Sequence, residues 1–173
     1  MPRRPSILPL ALLAAAIASS HAQQAPSAVA ASTESVLDVQ GGQIRLVTVA
    51  TGLVHPWSIA LLPGDRSMLV AERNGRVRLI QNDSLAPEAV WSAEGVAAGN
   101  EIKWLALHPR FESNRLVYLS YPKAGERGTT LAVARGRFDG RKLNDVREIF
   151  VADAWETGGN LGGKILFGPD ETL

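Results

Sequence analysis

The chain of 173 residues contains no cysteine, so it forms no disulfide, has no thiolate nucleophile and cannot bind zinc, iron or haem through sulfur. Histidine is also scarce, with three in the chain. Two of them, His55 and His108, precede prolines in predicted turns, lie in no zinc-binding motif and are interpreted as structural. The sequence has neither a G-x-x-x-x-G-K-[ST] phosphate loop nor a serine nucleophile elbow. These absences exclude most nucleotide and hydrolase chemistry.

Only one long apolar run is present, SILPLALLAAAIAS, and it follows the basic stretch MPRR. A basic start, a short apolar run and small residues around Ala22 predict a secretory signal peptide over residues 1–22. The run is short for a membrane span, which needs about 20 apolar residues. Residues 23–40 are predicted to form a disordered leader. We therefore expect a periplasmic or secreted protein with no membrane span after cleavage.

The charge of the chain is nearly balanced, with 18 Lys and Arg against 17 Asp and Glu. Cleavage would remove Arg3 and Arg4 and leave 16 basic residues against the same 17 acidic ones. Such a balance gives no reason to expect binding to nucleic acid or to an anionic membrane surface.

A repeated unit organises residues 41–173. WSIALLPGDRSMLVAERNGRVRLI starts at Trp57, WLALHPRFESNRLVYLSYP at Trp104 and GKILFGPDETL at Gly163. Each begins with an apolar strand and continues into a proline-centred turn, so Pro63, Pro109 and Pro169 occupy equivalent places. No stretch has a helical apolar period, and the repeat is typical of an all-β array. Trp57 and Trp104 are predicted to pack between the units.

Two short pairs predict hairpins inside these units. Asn74-Gly75 separates MLVAER from RVRLI, and Asp139-Gly140 separates LAVARGRF from RKLNDVREIF. Pairs of this kind favour type I′ turns. Antiparallel units of this length fit the blades of a β-propeller better than a sandwich, whose turns come about every 8 to 12 residues.

The same lines resemble a known family, the soluble PQQ-dependent sugar dehydrogenases (glucose/sorbosone dehydrogenases). GLVHPWSIALLPGDRSMLVAERNGRVRLI is similar to the first blade of that family, LALHPRFESNRLVYLSYP to its next line, and GGKILFGPDETL to the strand that opens the following blade. The resemblance implies an all-β, six-bladed propeller that oxidises the C1 hydroxyl of aldoses with PQQ held by calcium. It also implies a sugar substrate and an external electron acceptor.

Family members are more than twice as long, so the resemblance makes this chain an N-terminal fragment of about two to two and a half blades. The residues that hold PQQ and calcium in the family lie in later blades. We therefore expect no cofactor-binding or metal-binding residue in this chain and no activity from these 173 residues alone. Two blades would also expose strand edges and part of the core, which predicts a poorly soluble or assembling species.

The resemblance assigns Asn160 to the position of the catalytic base. In the family, a histidine lies four residues before a basic residue in H-x-x-G-[RK], and the matching residues here are Asn160 and Lys164 of N-L-G-G-K. An asparagine side chain can hydrogen-bond a sugar hydroxyl, but it cannot accept a proton at accessible pH. The general base is therefore missing from its usual place. Lys164 is predicted to bind substrate.

Glu101 and Lys103 lie in GNEIKWLALHP, where the resembling dehydrogenases have a glycine- and leucine-rich line. Two residues apart on one side of a strand, they are predicted to bind sugar hydroxyls or to steer an anionic cofactor, and Glu101 is the best candidate for a displaced base. The alternative is a solvated ion pair of little energetic value. The nearby glycines, including Gly158 and Gly163, are interpreted as places of close backbone approach or tight turns.

Three functions remain open from the sequence. The first is a PQQ-dependent sugar dehydrogenase of which this chain is a part. The second is a non-catalytic exported propeller that binds carbohydrate or a protein partner, which the departures at Asn160, Glu101 and Lys103 favour. The third is another propeller enzyme, such as a calcium-dependent lactonase, whose metal ligands would be spread over several blades.

Overall fold

A computed structural model describes residues 34–64, 66–94, 101–158 and 161–173. This part of the chain contains eleven strands and one helix of four residues, α1 (Phe111–Asn114), so the prediction of an all-β protein without long helices is confirmed. Within the described ranges, no helix has the length and apolar character that crossing a bilayer requires.

The first two strands form a hairpin in which β1 (Glu34–Val39) pairs antiparallel with β2 (Gly42–Val47). The leader predicted over residues 23–40 was therefore drawn too far, because Glu34–Val39 form β1. Ladder hydrogen bonds to β2 order these residues, although their composition is polar enough to favour disorder in isolation. Every residue of the hairpin is exposed.

The first blade follows the hairpin. Its strands are paired in the order β3-β4-β5-β6, and β7 pairs with the free end of β5. They are β3 (Pro56–Leu61), β4 (Met68–Glu72), β5 (Arg76–Gln81), β6 (Ser84–Leu85) and β7 (Trp91–Ser92).

The second blade has four antiparallel strands in the order β11-β10-β9-β8. They are β8 (Trp104–Leu107), β9 (Leu116–Gly125), β10 (Gly128–Phe138) and β11 (Leu143–Val151). Pro63 follows β3 and Pro109 follows β8, so the predicted repeat does align the innermost strands of successive blades. Two packed four- to five-stranded sheets of this kind are propeller blades.

The third repeat line does not form a strand. No strand is present in residues 161–173, although Ile165 is buried beside Tyr118 and Val133 on the free face of the second blade. A strand needs a hydrogen-bonded neighbour, and no described segment pairs with residues 163–167. The apolar pattern of GKILF therefore predicted the packing of this segment but not its pairing.

Both predicted hairpins are present, but the predicted turn type is wrong. Type I′ requires positive φ at both central residues, whereas only Gly75 and Gly140 of the two pairs have it, at 85° and 102°. The first loop is a turn closed by the Gly75 N–H donating to the Glu72 carbonyl at 2.9 Å, after which Gly75 provides the left-handed residue. In the second, the Asp139 carboxylate accepts the N–H groups of Arg141 and Lys142.

The main core lies between the two blades. It combines Leu69, Ala71 and Val77 of the first blade with Leu105 and Leu119 of the second. A buried hydrogen bond crosses the same seam, from the Leu105 N–H to Ser58 Oγ at 3.0 Å. This packing fixes where β3 and β8 begin relative to each other, and the candidate site lies at that end.

Candidate functional site

The ends of several strands meet at one rim of the two blades. Glu101 and Lys103 directly precede β8, and Arg73 follows β4. Because β4 runs antiparallel to β3, the turn containing Arg73 lies at the end of the first blade where β3 begins. Packing of β3 against β8 then brings this turn to the residues before β8. We call Arg73, Glu101 and Lys103 the rim cluster.

Glu101 is the centre of the rim cluster. Its Oε2 lies 2.9 Å from Lys103 Nζ, and its Oε1 accepts a hydrogen bond from Arg73 Nε at 3.1 Å. The side chain of Lys103 is only 10% exposed and that of Glu101 21%. The two residues are therefore not the solvated pair that the sequence left open. They form a largely buried ion pair, and the contact of Glu101 with Arg73 links the two blades.

The electrostatics of Glu101 do not suit a general base. Partial burial raises its pKa, but hydrogen bonds from Lys103 and Arg73, together with their positive charges, outweigh burial and hold the pKa below its ordinary value. A carboxylate with a lowered pKa is a weaker proton acceptor. Glu101 is thus placed to hold cations and to accept hydrogen bonds from hydroxyl groups.

Contacts with Ser120 and with Gly163 hold Lys103 in place. Its N–H donates to the Ser120 carbonyl at 2.8 Å, and the Ser120 hydroxyl donates to the Gly163 carbonyl. A Cβ atom at Gly163 would lie 2.4 Å from Lys103 Cβ. The interpretation of this glycine as a place of close approach is confirmed, since no other residue would let residues 161–167 pass so near Lys103.

Two indole rings lie at the same rim, each beside a cation. Lys164 Nζ lies 5.3 Å from the centroid of the Trp104 ring, and the Arg73 guanidinium 5.4 Å from that of Trp57. Trp104 lies in β8 and packs against Tyr118, Val133 and Ile165, between the second blade and the third repeat line as predicted, whereas Trp57 is 56% exposed and is not covered by a blade. Trp57 lies on the face of the first blade that has no neighbour among the described residues.

The structure brings together three of the four predicted site residues, with Lys103 beside Glu101 and Gly163 joining Lys103 to the segment that carries Lys164. Asn160 lies outside the described residues. Arg73 was not among the predicted site residues. Its partner is 28 residues away, so no local pattern could have revealed the contact.

The two histidines have structural roles. His108 Nδ1 accepts the Arg110 N–H at 3.0 Å, and its ring centroid lies 5.3 Å from that of Phe167. His55 has a left-handed φ of 48°, and its carbonyl accepts the Arg73 N–H at 3.0 Å. Within the described ranges, no three His, Cys, Asp or Glu residues are grouped so as to hold a metal ion.

A comparison with known protein families identifies the family of this chain. The model of the family described as glucose/sorbosone dehydrogenase matches residues 53–173, which include both blades and the rim cluster. The chain belongs to the glucose/sorbosone dehydrogenase family. Its fold is therefore that of a family of sugar dehydrogenases whose structures are propellers.

Relatives in this family are sugar dehydrogenases where they are characterised. The chain is 31% identical over 121 residues to the aldose sugar dehydrogenase of Escherichia coli, covering 66% of this chain and 33% of the relative. It is 40% identical over 155 residues to an uncharacterized protein of Synechocystis sp., covering 82% of this chain and 37% of that protein. The chain thus spans about a third of the length of these relatives.

Solved structures of the family have the same fold. The apo-form of the soluble aldose sugar dehydrogenase of Escherichia coli superposes with a TM-score of 0.56 at 29% identity, covering 66% of this chain and 35% of that structure. The PQQ-bound form of the aldose sugar dehydrogenase of Streptomyces coelicolor does so with a TM-score of 0.57 at 25% identity, covering 81% of this chain and 40% of that structure. PQQ is thus a cofactor in the glucose/sorbosone dehydrogenase family.

Proposed function

We propose that this chain supplies the first blades of an exported PQQ-dependent aldose dehydrogenase. The observation that carries the proposal is the family match over residues 53–173, which places the rim cluster in a sugar dehydrogenase lineage. When bound, PQQ supplies the oxidising quinone that takes a hydride from the C1 of the sugar.

The contribution of the rim is binding and orientation. The Glu101 carboxylate has lone pairs for sugar hydroxyl donors beside its two cations, and Lys164 carries an exposed ammonium that can donate to a hydroxyl oxygen. Lys103 orients the Glu101 carboxylate rather than contacting sugar itself, since its ammonium is buried against that group. Asn160 would donate or accept a hydrogen bond at the reacting hydroxyl but cannot remove its proton.

A chimera tests this proposal. The 121-residue segment of the Escherichia coli aldose sugar dehydrogenase that matches this chain would be replaced by the corresponding residues of this chain, and aldose oxidation measured with PQQ, calcium and an artificial electron acceptor. We expect no turnover from the 173-residue chain alone. The chimera should bind PQQ but turn over about 10² to 10⁴ times more slowly than its Asn160→His variant, because that variant restores a proton acceptor.

The matched control for this substitution is His108→Asn in the same chimera, since that histidine packs against Phe167 and has no assigned proton-transfer role. A chimera that oxidises aldoses at the parental rate with Asn160 in place would contradict the proposed role of this residue. A chimera that folds, binds PQQ and stays inactive in both forms would contradict the dehydrogenase proposal.

The second candidate function is a non-catalytic exported propeller that binds carbohydrate or a protein partner. The observation that favours it is the charge pairing of Glu101, which lowers the pKa of the only carboxylate at the rim cluster and makes it a poor base. Saturable binding of aldoses to the chimera without turnover in any variant would support this function.

We also propose export to the periplasm or the medium, with cleavage near Ala22. Mass spectrometry of the protein recovered from each cell fraction tests this, with a mature N-terminus near Gln23 as the expected result. Cytoplasmic protein that starts at Met1 would contradict it.

A further inference from the structure

A cavity of about 430 Å³ lies on the second blade, away from the rim cluster. Three guanidinium groups and one carboxylate surround it, and its lining residues are Leu116, Arg135, Gly136, Arg137, Asp145 and Arg147. Arg135 lies opposite Tyr118, which is itself opposite Ala106 on the innermost strand. The cavity is therefore two strands out from the centre and closer to the turn between β10 and β11 than to the rim.

The arrangement of charge in this cavity is unfavourable without a ligand. Arg135 on β10 and Arg147 on β11 are direct cross-strand partners. Like charges in such positions destabilise a sheet pair. None of the ion pairs formed within the described ranges includes Arg135 or Arg147, although Arg135 is half-buried. The protein thus keeps two uncompensated cations side by side.

The backbone around the cavity departs from a regular ladder. The register between β10 and β11 shifts between Arg135 and Arg137, and Asp145 has a left-handed φ of 52°. A bulge re-aims the side chains next to it, and bulges are over-represented beside functional sites. Here the extra residue lies on β11, beside Asp145, whereas Arg137 shares a face with Arg135 through the regular alternation of β10, and its Nη1 donates to the Asn114 carbonyl at 2.8 Å.

We propose that this cavity is a binding site for the phosphate group of a small molecule. Three arginines and one aspartate leave two positive charges, which match a phosphate dianion, and guanidinium groups bind phosphate oxygens through paired hydrogen bonds. A cavity of about 430 Å³ has room for a ligand larger than inorganic phosphate. The site is separate from the proposed sugar dehydrogenase function and does not depend on it.

Titration calorimetry of the full chain tests this proposal, with sodium phosphate as one probe, glucose 6-phosphate as a second and glucose as the neutral comparison, all at matched ionic strength. We expect saturable binding of phosphate and none of glucose. Tighter binding of glucose 6-phosphate would identify a phosphorylated small molecule as the ligand, and equal affinities would identify the free anion.

The Arg147→Gln variant should raise the dissociation constant for phosphate at least tenfold. Arg147→Lys should also weaken binding, because it keeps the charge but loses the paired donors. Arg141→Gln is the matched control, since Arg141 is exposed in the β10–β11 loop and does not line the cavity.

The melting temperature of the protein without ligand provides an independent test. Arg147→Gln should raise the melting temperature in phosphate-free buffer by removing the repulsion with Arg135, and it should abolish the upward shift that phosphate causes in the parent chain. Non-saturable binding, or equal losses in the Arg147→Gln and Arg141→Gln variants, would overturn the proposal.

Discussion

At the scale of single residues, Glu72 is the carboxylate most deeply built into the first blade. Its side chain is fully buried, and it accepts the Val54 N–H at 2.7 Å and Arg76 Nε at 2.7 Å. Arg78, which is also buried, lies 3.6 Å from the same carboxylate. Glu72 thus ties the segment before β3 to β4 and β5 and neutralises a buried guanidinium.

Replacing Glu72 by alanine should destabilise the chain by about 3 to 5 kcal/mol, because it leaves Arg78 charged and unpaired in the interior and orphans the Val54 N–H. Chemical denaturation followed by circular dichroism measures this loss. Glu94→Ala, at an exposed position, is the control and should change stability by less than about 0.5 kcal/mol. Equal losses in both variants would show that the buried network contributes nothing.

Tyr121 is a buried phenol with a charged partner. Its hydroxyl donates to Glu148 at 3.0 Å, and burial, the hydrogen bond and the carboxylate charge together raise the pKa of Tyr121 to about 12. The ordinary pKa of a tyrosine phenol is about 10, so Tyr121 loses its proton at a lower pH in the unfolded chain than in the folded chain. The contribution of Tyr121 to the free energy of unfolding is fully present below pH 10 and falls as the pH rises from 10 to 12.

The expected loss is about 1.4 kcal/mol per pH unit over this window. Tyr121→Phe should flatten the decline of stability between pH 10 and 12, although it lowers stability at neutral pH by removing the hydrogen bond. Tyr118→Phe is the control, since its ring packs edge-on to Phe167 rather than beside Glu148. Chemical denaturation at several pH values measures the free energy of unfolding of both proteins. Parallel declines with pH in the parent and in Tyr121→Phe would contradict this prediction.

At the scale of strands, the contact between β3 and β8 joins the two blades. Ser58 is the one buried polar residue of β3, and its hydroxyl oxygen accepts the Leu105 N–H at 3.0 Å. Ser58→Ala should cost about 1 to 3 kcal/mol, because the Leu105 N–H is left buried without a partner. Ser84→Ala, at an exposed position in β6, is the matched control.

Amide hydrogen exchange distinguishes a local loss of stability around Leu105 from a loss throughout the second blade. In Ser58→Ala, protection of the Leu105 amide should fall more than that of the amides in the β9–β10 ladder, which does not depend on the seam. Uniform loss of protection across the second blade would contradict a local role for this hydrogen bond.

At the scale of the whole molecule, one face of the first blade stays open. Trp57, Ile59 and Leu61 of β3 point away from the second blade, and Leu61 is 71% exposed. The β1–β2 hairpin adds further exposed apolar side chains, among them Val36 and Leu46. Contiguous apolar surface and open strand edges favour association.

The chain should therefore self-associate in a concentration-dependent way. Sedimentation velocity over a concentration series measures this, and the double variant Ile59→Lys, Leu61→Lys should shift the distribution towards monomer. Gln81→Lys, which adds charge at an exposed polar position, is the control. A parent chain that remains monomeric at high concentration and melts sharply and reversibly would contradict this prediction.

The sequence by itself determined the all-β class, the positions of the innermost strands and both hairpins. Strand alternation, proline-centred turns and glycine-containing pairs are local signals, and Pro63 and Pro109 follow β3 and β8 as the repeat predicted. The motif lines also indicated the family that residues 53–173 match. Close approach at Gly163 was foreseeable as well, since a glycine has no side chain to obstruct a neighbouring segment.

Only the tertiary structure decided what these residues contact. Arg73 contacts Glu101, Glu34–Val39 is a strand rather than a leader, and the loops after β4 and β10 are not type I′ turns. The cavity between Arg135 and Arg147 likewise depends on a strand register that no local pattern reveals. The Arg73–Glu101 contact joins residues 28 apart, and strand pairing, turn geometry and register depend on how whole strands pair, which a local residue pattern does not fix.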